Sequence, residues 1–192
     1  MSKYAVLALA LGLAAPVVNA ETYEIDASHS SIGFSVRHMI VSTVRGSFGE
    51  FTGSFEYDAA KPADTKASAV IKTASIDTRN AKRDDHLRNE DFFDAPKFPD
   101  ITFETTRVEA DGGTLTLFGN LTMKGVTKEI ALPVTFHGPI TDPWGNVRAG
   151  FEGSTTINRQ DWGISWSKNL DGGGLVVSDE VKLEISIEGI KK

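Results

Sequence analysis

The side chains able to do acid–base or metal chemistry are few and poorly spaced for it. The chain has four histidines, His29, His38, His86 and His137, and no cysteine. It has no Gly-x-Ser-x-Gly elbow, no phosphate-binding Gly-rich loop ending in Lys-Ser or Lys-Thr, and no His-Glu-x-x-His. Nucleophilic hydrolysis, nucleotide binding and zinc-protease chemistry therefore lack their usual anchors. His29, His38 and a carboxylate form the one conceivable metal set, but their spacing is not that of ligands, and no metal site is assigned. Asp84, Asp85 and His86 are adjacent, and adjacent residues on a helix point about 100° apart rather than toward a shared proton. No catalytic residue is assigned, and the chain is read as a non-enzyme.

Apolar chemistry is better represented. There are eleven Phe and three Trp, Trp144, Trp162 and Trp166. On strand parity, Phe34, Val36, His38, Phe103, Leu117, Gly119, Phe136 and Phe151 fall on one side, and Trp166 lies near a strand end. These nine are the candidate lining of an interior cavity, with His38 a polar group pointing inward and His137 pointing out. An apolar tunnel would stabilise a hydrocarbon ligand by ~25 cal/mol per Å² removed from water. The basic residues Arg79, Lys82, Arg83 and Arg88 could supply a rim for an anionic head group. The head-group candidates are Arg83, His86 and Arg88, with Asp84, Asp85, Glu90 and Asp91 partly cancelling their field.

The elements that must position these residues are mostly strands. From Ser31 to Ile40 the even positions read Ile32, Phe34, Val36, His38, Ile40, and the odd positions are mostly polar, which is strand alternation. Similar alternation runs through residues 51–58, 101–106, 114–124, 130–136, 149–157 and 180–187. Turn signals separate the later runs: Asp111-Gly112-Gly113, Lys124-Gly125, Asp142-Pro143-Trp144-Gly145 and Asp171-Gly172-Gly173-Gly174. Asp77 to Phe93 breaks the pattern. Its helix formers predict one short helix, capped by Asp77 or Thr78 and ended before Pro96 and Pro99. It reads as a solvated surface helix packed through Leu87, Phe92 and Phe93. A one-faced antiparallel sheet closes into a barrel or packs on a second sheet. The mid-strand glycines Gly33, Gly53, Gly119 and Gly153 suit barrel corners, favour an all-β, eight-stranded antiparallel barrel, and suggest empty space inside. Periodicity does not decide whether that interior is hollow or filled.

Composition sets the outer limits. The 192 residues carry 20 basic and 26 acidic side chains, a net charge of −6. Such a surface argues against nucleic acid as a partner and restricts contact with an anionic membrane to a transient one. Residues 1–20 read as a signal peptide: Lys3 heads an uncharged run from Ala5 to Ala15, and Val18-Asn19-Ala20 precedes a cleavage point. Residues 21–192 then form one exported domain, large enough to fold without disulfides.

Several segments together resemble the YceI-like family of periplasmic proteins. They are His29-Ser30-Ser31-Ile32-Gly33-Phe34-Ser35-Val36-Arg37-His38-Met39, Val44-Arg45-Gly46-Ser47-Phe48 and Phe51-Thr52-Gly53. In the middle stand Arg83-Asp84-Asp85-His86-Leu87-Arg88, Asp91-Phe92-Phe93-Asp94 and Phe98-Pro99-Asp100-Ile101-Thr102-Phe103. Gly119 through Lys128, Gly150-Phe151-Glu152 and Val181-Lys182-Leu183-Glu184-Ile185 complete the set. The resemblance implies a lipocalin-like barrel with an elongated apolar cavity. It also implies a periplasmic location and binding, storage or transport of isoprenoid lipids, including polyprenyl chains and isoprenoid quinones. No cofactor is implied beyond such a bound lipid, and a homodimer stays open. Two alternatives remain: a stress-related structural module with a filled core, and a lipid-modifying enzyme using His38 or His86 as general base.

Overall fold

A computed structural model describes residues 20–111, 114–169, 171 and 173–192. The expected signal segment lies outside the described residues except for Ala20, as do the glycines of the Asp111-Gly112-Gly113 turn and Gly172. Eleven strands form one antiparallel sheet: β1 (Glu21–Ile25), β2 (Ser31–His38), β3 (Ser42–Phe48), β4 (Phe51–Tyr57), β5 (Lys66–Lys72), β6 (Ile76–Asp77), β7 (Asp100–Asp111), β8 (Thr114–Met123), β9 (Val126–Thr141), β10 (Val147–Asn158) and β11 (Val177–Lys191).

Register reduces these eleven to eight staves. β1 pairs with the end of β11 through Ile25 and Gly189, and β2 continues along the same strand from Ser31 opposite Ser186 to His38 opposite Val177. β3 and β4 likewise share one course beside β2 and β1, and β5 and β6 share the next. The order β1-β4-β5-β7-β8-β9-β10-β11 then returns to β1. Closure leaves no free edge along that circuit. This is the expected eight-stranded antiparallel barrel, with three staves broken into two pieces each. Irregularities in register at Thr105/Arg107 and Arg148/Gly150 add the local twist that closure demands.

Alternation is cleanest on β8. Leu115, Leu117, Gly119, Leu121 and Met123 are buried, and the intervening residues are not. Inward side chains divide into two groups. Tyr23, Phe55, Leu115, Leu117, Leu132, Val134, Ala149 and Phe151 pack toward the end where β9 turns into β10. There Tyr23 stacks on Phe55 at 4.9 Å, Tyr57 stacks on Phe136 at 3.6 Å, and Phe151 stands edge-on to Phe55 at 4.9 Å. This aromatic layer stops that end of the barrel. The second group, around Phe48, Ile76, Ile101, Met123, Ile157 and Trp162, lies toward the other end.

The helix is shorter than expected. α1 spans Ala81–Arg88, and Asn80, rather than Asp77 or Thr78, caps it by accepting from the Arg83 amide at 3.1 Å. Asp84 is buried, where a fully solvated helix would have exposed it: its carboxylate accepts from both the amide and the hydroxyl of Thr78. Past Arg88 the chain folds into tight turns, with Asp94 at a φ of 50°.

Candidate ligand cavity

Three apolar spaces run in series from the barrel interior to the helix end. The innermost, about 130 Å³, is lined by Ile25, Ile71, Ile101, Phe103, Leu117 and Phe151 among others, with almost no polar surface. A second, about 90 Å³, lies under α1 between Phe34, Leu87, Phe93, Ile157 and Ile164. Phe48, Met123 and Leu183 border both and form a waist between them. A third, about 180 Å³, shares Phe34, Val36, Leu87, Phe92 and Val177 with the second and adds the polar groups His38, Arg83 and His86 with Trp166. Together they reach the roughly 300–1,000 Å³ range of small-molecule sites. The gradient is simple: hydrocarbon walls inside, and cationic or titratable groups at the mouth.

The sequence-derived lining residues distribute along this path. Phe103, Leu117 and Phe151 line the inner space, and Phe34 and Val36 line the two outer ones. His38 and Trp166 stand at the mouth. Two candidates do not line any of the three. Phe136 belongs to the aromatic layer with Tyr57. Gly119 lies on the inner face beneath the Phe103 ring, where a Cβ would sit 2.4 Å from that ring. Of the four mid-strand glycines only Gly33 borders the inner space, and Gly53, Gly119 and Gly153 do not hold the empty space expected of them. At Gly153 a Cβ would meet the Pro133 carbonyl at 2.3 Å, and at Gly53 the Ser68 carbonyl at 2.2 Å. They let neighbouring backbones approach closely, and the vacancy lies instead beside small residues such as Ala67 and Ala69.

The head-group candidates also separate. Arg83 and His86 are at the mouth. Arg83 donates through Nε and Nη2 to the hydroxyl and carbonyl of Thr78, so two of its three nitrogens are committed. The His86 Nε2 bonds the Asp91 carboxylate at 2.8 Å, and the ring stands edge-on to Phe92 and Trp166 at 5.0 and 5.1 Å. Arg88 is turned away. It donates to the carbonyls of Ala74 and Ile76 and pairs with Asp85, fastening α1 to the sheet.

Sequence reasoning missed the residue that shapes the mouth. Arg159 is buried with its side chain 5% exposed. Its guanidinium donates to the carbonyls of Ile164, Trp166, Val177 and Ser178 and to the Asp179 carboxylate. Five donors in a fixed fork meet five acceptors, which only arginine can do. Burial pushes its pKa down, and the Asp179 charge opposes that shift. The result is a clamp that ties segment 164–166 to the start of β11 and thereby holds Trp166 at the opening. Its position just past an apolar strand, followed by Asp161-Trp162-Gly163, was the available signal. Trp162, buried nearby, donates its indole N–H to the Leu121 carbonyl at 3.0 Å.

The other polar cluster lies at the opposite end. Asp26, His29 and Glu188 come close enough to hold a cation, but Arg148 already binds Asp26 and Glu188, and also Asp142. A guanidinium thus fills the place a metal would take. The Ser28 hydroxyl and the His29 ring both meet the Asp26 carboxylate, and His29 meets Ser28 and Asp26 through the same imidazole nitrogen, Nδ1. A nucleophilic relay needs the two ring nitrogens on different partners, so this is not one.

Comparison with known proteins agrees with the fold. A Pseudomonas fluorescens protein described as a UPF0312 protein is 44% identical over 202 residues, covering 100% of this chain and 99% of its own. The crystal structure of Burkholderia cenocepacia BcnA superposes with a TM-score of 0.75 at 25% identity, over 85% of this chain and 98% of that one. A polyisoprenoid binding domain from Saccharophagus degradans shares the fold with a TM-score of 0.63 at 18% identity, over 88% of this chain and 98% of the domain. The model of the YceI-like domain matches residues 23–189, nearly the whole barrel, and the chain belongs to the YceI-like family.

Proposed function

We propose that this protein binds isoprenoid lipids, and stores or carries them, by enclosing the hydrocarbon chain in the barrel and holding the polar end at the mouth. The observation that carries this reading is the series of three spaces, with an apolar inner lining and His38, Arg83, His86 and Trp166 at the outer end. Affinity comes from buried apolar area, with few directional contacts to select one chain over another. The Saccharophagus degradans domain of the same fold is described as polyisoprenoid binding, which supports the choice of ligand class. Polyprenyl chains and isoprenoid quinones both fit this chemistry. The leader-like segment at residues 1–20 supports export, and with it a periplasmic site of action. The reading is one of binding without catalysis.

Organic extraction of protein purified without denaturation, followed by mass spectrometry, tests this. Co-extracted prenyl lipid, or saturable uptake of added polyprenol by delipidated protein, is expected. An extract free of lipid together with no uptake would overturn the reading.

A further inference from the structure

β2 and β3 are joined by Met39-Ile40-Val41, which are 42%, 64% and 81% exposed. Val70, Ile140 and Trp144 are the other exposed large apolar side chains among the described residues; Val70 stands alone on β5, and Ile140 and Trp144 lie together where β9 turns into β10, at the end away from the cavity mouth. Hairpin tips favour Gly, Asn or Asp because their backbone enters the left-handed region. Here Met39 has a φ of 50° and Ile40 a φ of 64°, and a β-branched residue at such a φ is an outlier. Neither the core nor the turn calls for apolar residues at this place. The tip is also fixed in position. The Met39 amide donates to the Val176 carbonyl at 2.9 Å, and Arg37 donates to Thr43 Oγ1 at 3.0 Å and to the Ile40 carbonyl.

The neighbours of the tip give its orientation. His38, one residue before it, and Val176, to which Met39 is bonded, both line the mouth of the cavity. Two exposed cations flank it, Arg37 on β2 and Lys168, whose carbonyl accepts from the Val176 amide, and the carboxylates Asp179 and Glu180 share a groove with Arg37 and Ile40 and offset part of that charge. We infer that the Met39-Ile40-Val41 tip is a membrane-contact element, which inserts at the headgroup boundary of a bilayer containing anionic phospholipid and sets the cavity mouth against the lipid surface. The inference rests on the proposed lipid-binding function and names the partner from which the cavity is filled.

Two features favour a bilayer over a second copy of the chain. The three side chains expose on the order of 300 Å², less than half of the ~800 Å² per partner that a stable interface buries. The groove beside Ile40 is lined by Arg37, Leu175, Ser178, Asp179 and Glu180, mostly polar groups that offer a second copy little apolar surface to bury. Arg37 and Lys168 complement lipid phosphates, and the chain's net charge of −6 keeps the contact brief.

Two readouts separate this inference from the reading it rests on. Delipidated protein is offered a fluorescent geranylgeraniol derivative either dispersed in detergent or embedded in vesicles of seven parts phosphatidylcholine to three parts phosphatidylglycerol. The double variant Ile40→Asp, Val41→Asp should bind the dispersed probe as tightly as the parent, yet take it from vesicles at least tenfold more slowly. Equal vesicle uptake would overturn the inference. Failure of the parent to bind the dispersed probe would instead overturn the cavity reading. Because the chain has no cysteine, Ile40→Cys and Trp144→Cys each accept a single polarity-sensitive dye, which tests the contact even if the double variant does not fold. The dye at position 40 should shift to the blue with these vesicles and the dye at position 144 should not. No shift at 40, or equal shifts at both, would refute membrane contact through this tip.

Discussion

The inner cavity makes Ala69→Phe a substitution with two opposite effects. Ala69 points inward on β5, opposite Phe103 on β7, and lines the innermost space without belonging to either packed cluster. Without ligand, the added ring enters about 130 Å³ of apolar vacancy. Filling such a space usually stabilises a protein by roughly 0.5–2 kcal/mol, and the ring removes apolar area from water at ~25 cal/mol per Å². For a domain of this size that raises Tm by about 1–8 °C. The same ring occupies the volume a prenyl chain would need. At ligand concentrations near 100 times Kd the parent gains about 2.7 kcal/mol through linkage, or about 5–11 °C, and the variant should gain nothing. Differential scanning calorimetry with and without a saturating polyprenol reads both effects on one sample. A variant that melts lower than the parent without ligand would show that the inner space is already filled. A variant with the full ligand-induced shift would show that the chain binds elsewhere.

Further expectations concern the clamp and the far-end charge cluster. Arg159→Ala leaves four carbonyls without the guanidinium and the Asp179 carboxylate with Gln160 as its remaining side-chain donor, and should cost about 3 kcal/mol in urea unfolding, the low end of the range for breaking a buried pair. Arg159→Lys, which cannot meet five acceptors, should recover less than half of that loss, and full recovery would mean that charge rather than geometry matters. Hydrogen bonds from Ser28, His29 and Arg148 hold Asp26 well below the usual carboxylate range, and Arg148 with Asn146 does the same for Asp142. Depressed carboxylates contribute stability above their unfolded pKa near 4 and lose it as pH falls. Urea midpoints should therefore drop steeply from pH 5 to pH 2 in the parent, and this slope should flatten in Arg148→Met. Burial and the Glu21 carboxylate push the Tyr23 phenol up to about 12. A raised folded pKa contributes stability that is complete below the unfolded value near 10 and is lost as pH rises through 12. Tyr23→Phe should weaken this alkaline loss of stability, and an unchanged alkaline profile would contradict it.

Period-two alternation was enough to read a barrel from residues such as those of β8, where inward and outward side chains differ sharply. The same reading passed over β1, β3, β5 and β6. In β3 the burial is irregular, and β5 places Ala67 and Ala69 on its inner side, too small to register as apolar. The inward residues nearest the mouth, Phe34, Val36 and His38, were legible because β2 alternates without interruption up to its last residue. Gly119 and Gly153 misled, since a missing Cβ can mean room or close approach, and only the position of the Phe103 ring and the Pro133 carbonyl decides which. Arg88 and Phe136 were indistinguishable by type from residues that do line the path. Arg159 was hidden for a different reason: its partners are backbone carbonyls, and a carbonyl has no sequence identity.

The central claim is that one continuous apolar path runs from Phe103 through the Phe48–Met123–Leu183 waist to Trp166. A crystal structure of the protein saturated with a polyprenol tests it most directly. Unbroken hydrocarbon density through that waist, with the hydroxyl beside His38, Arg83 and His86, is the predicted result. Density confined to the outer surface, around an interior unchanged from the lipid-free form, would contradict it.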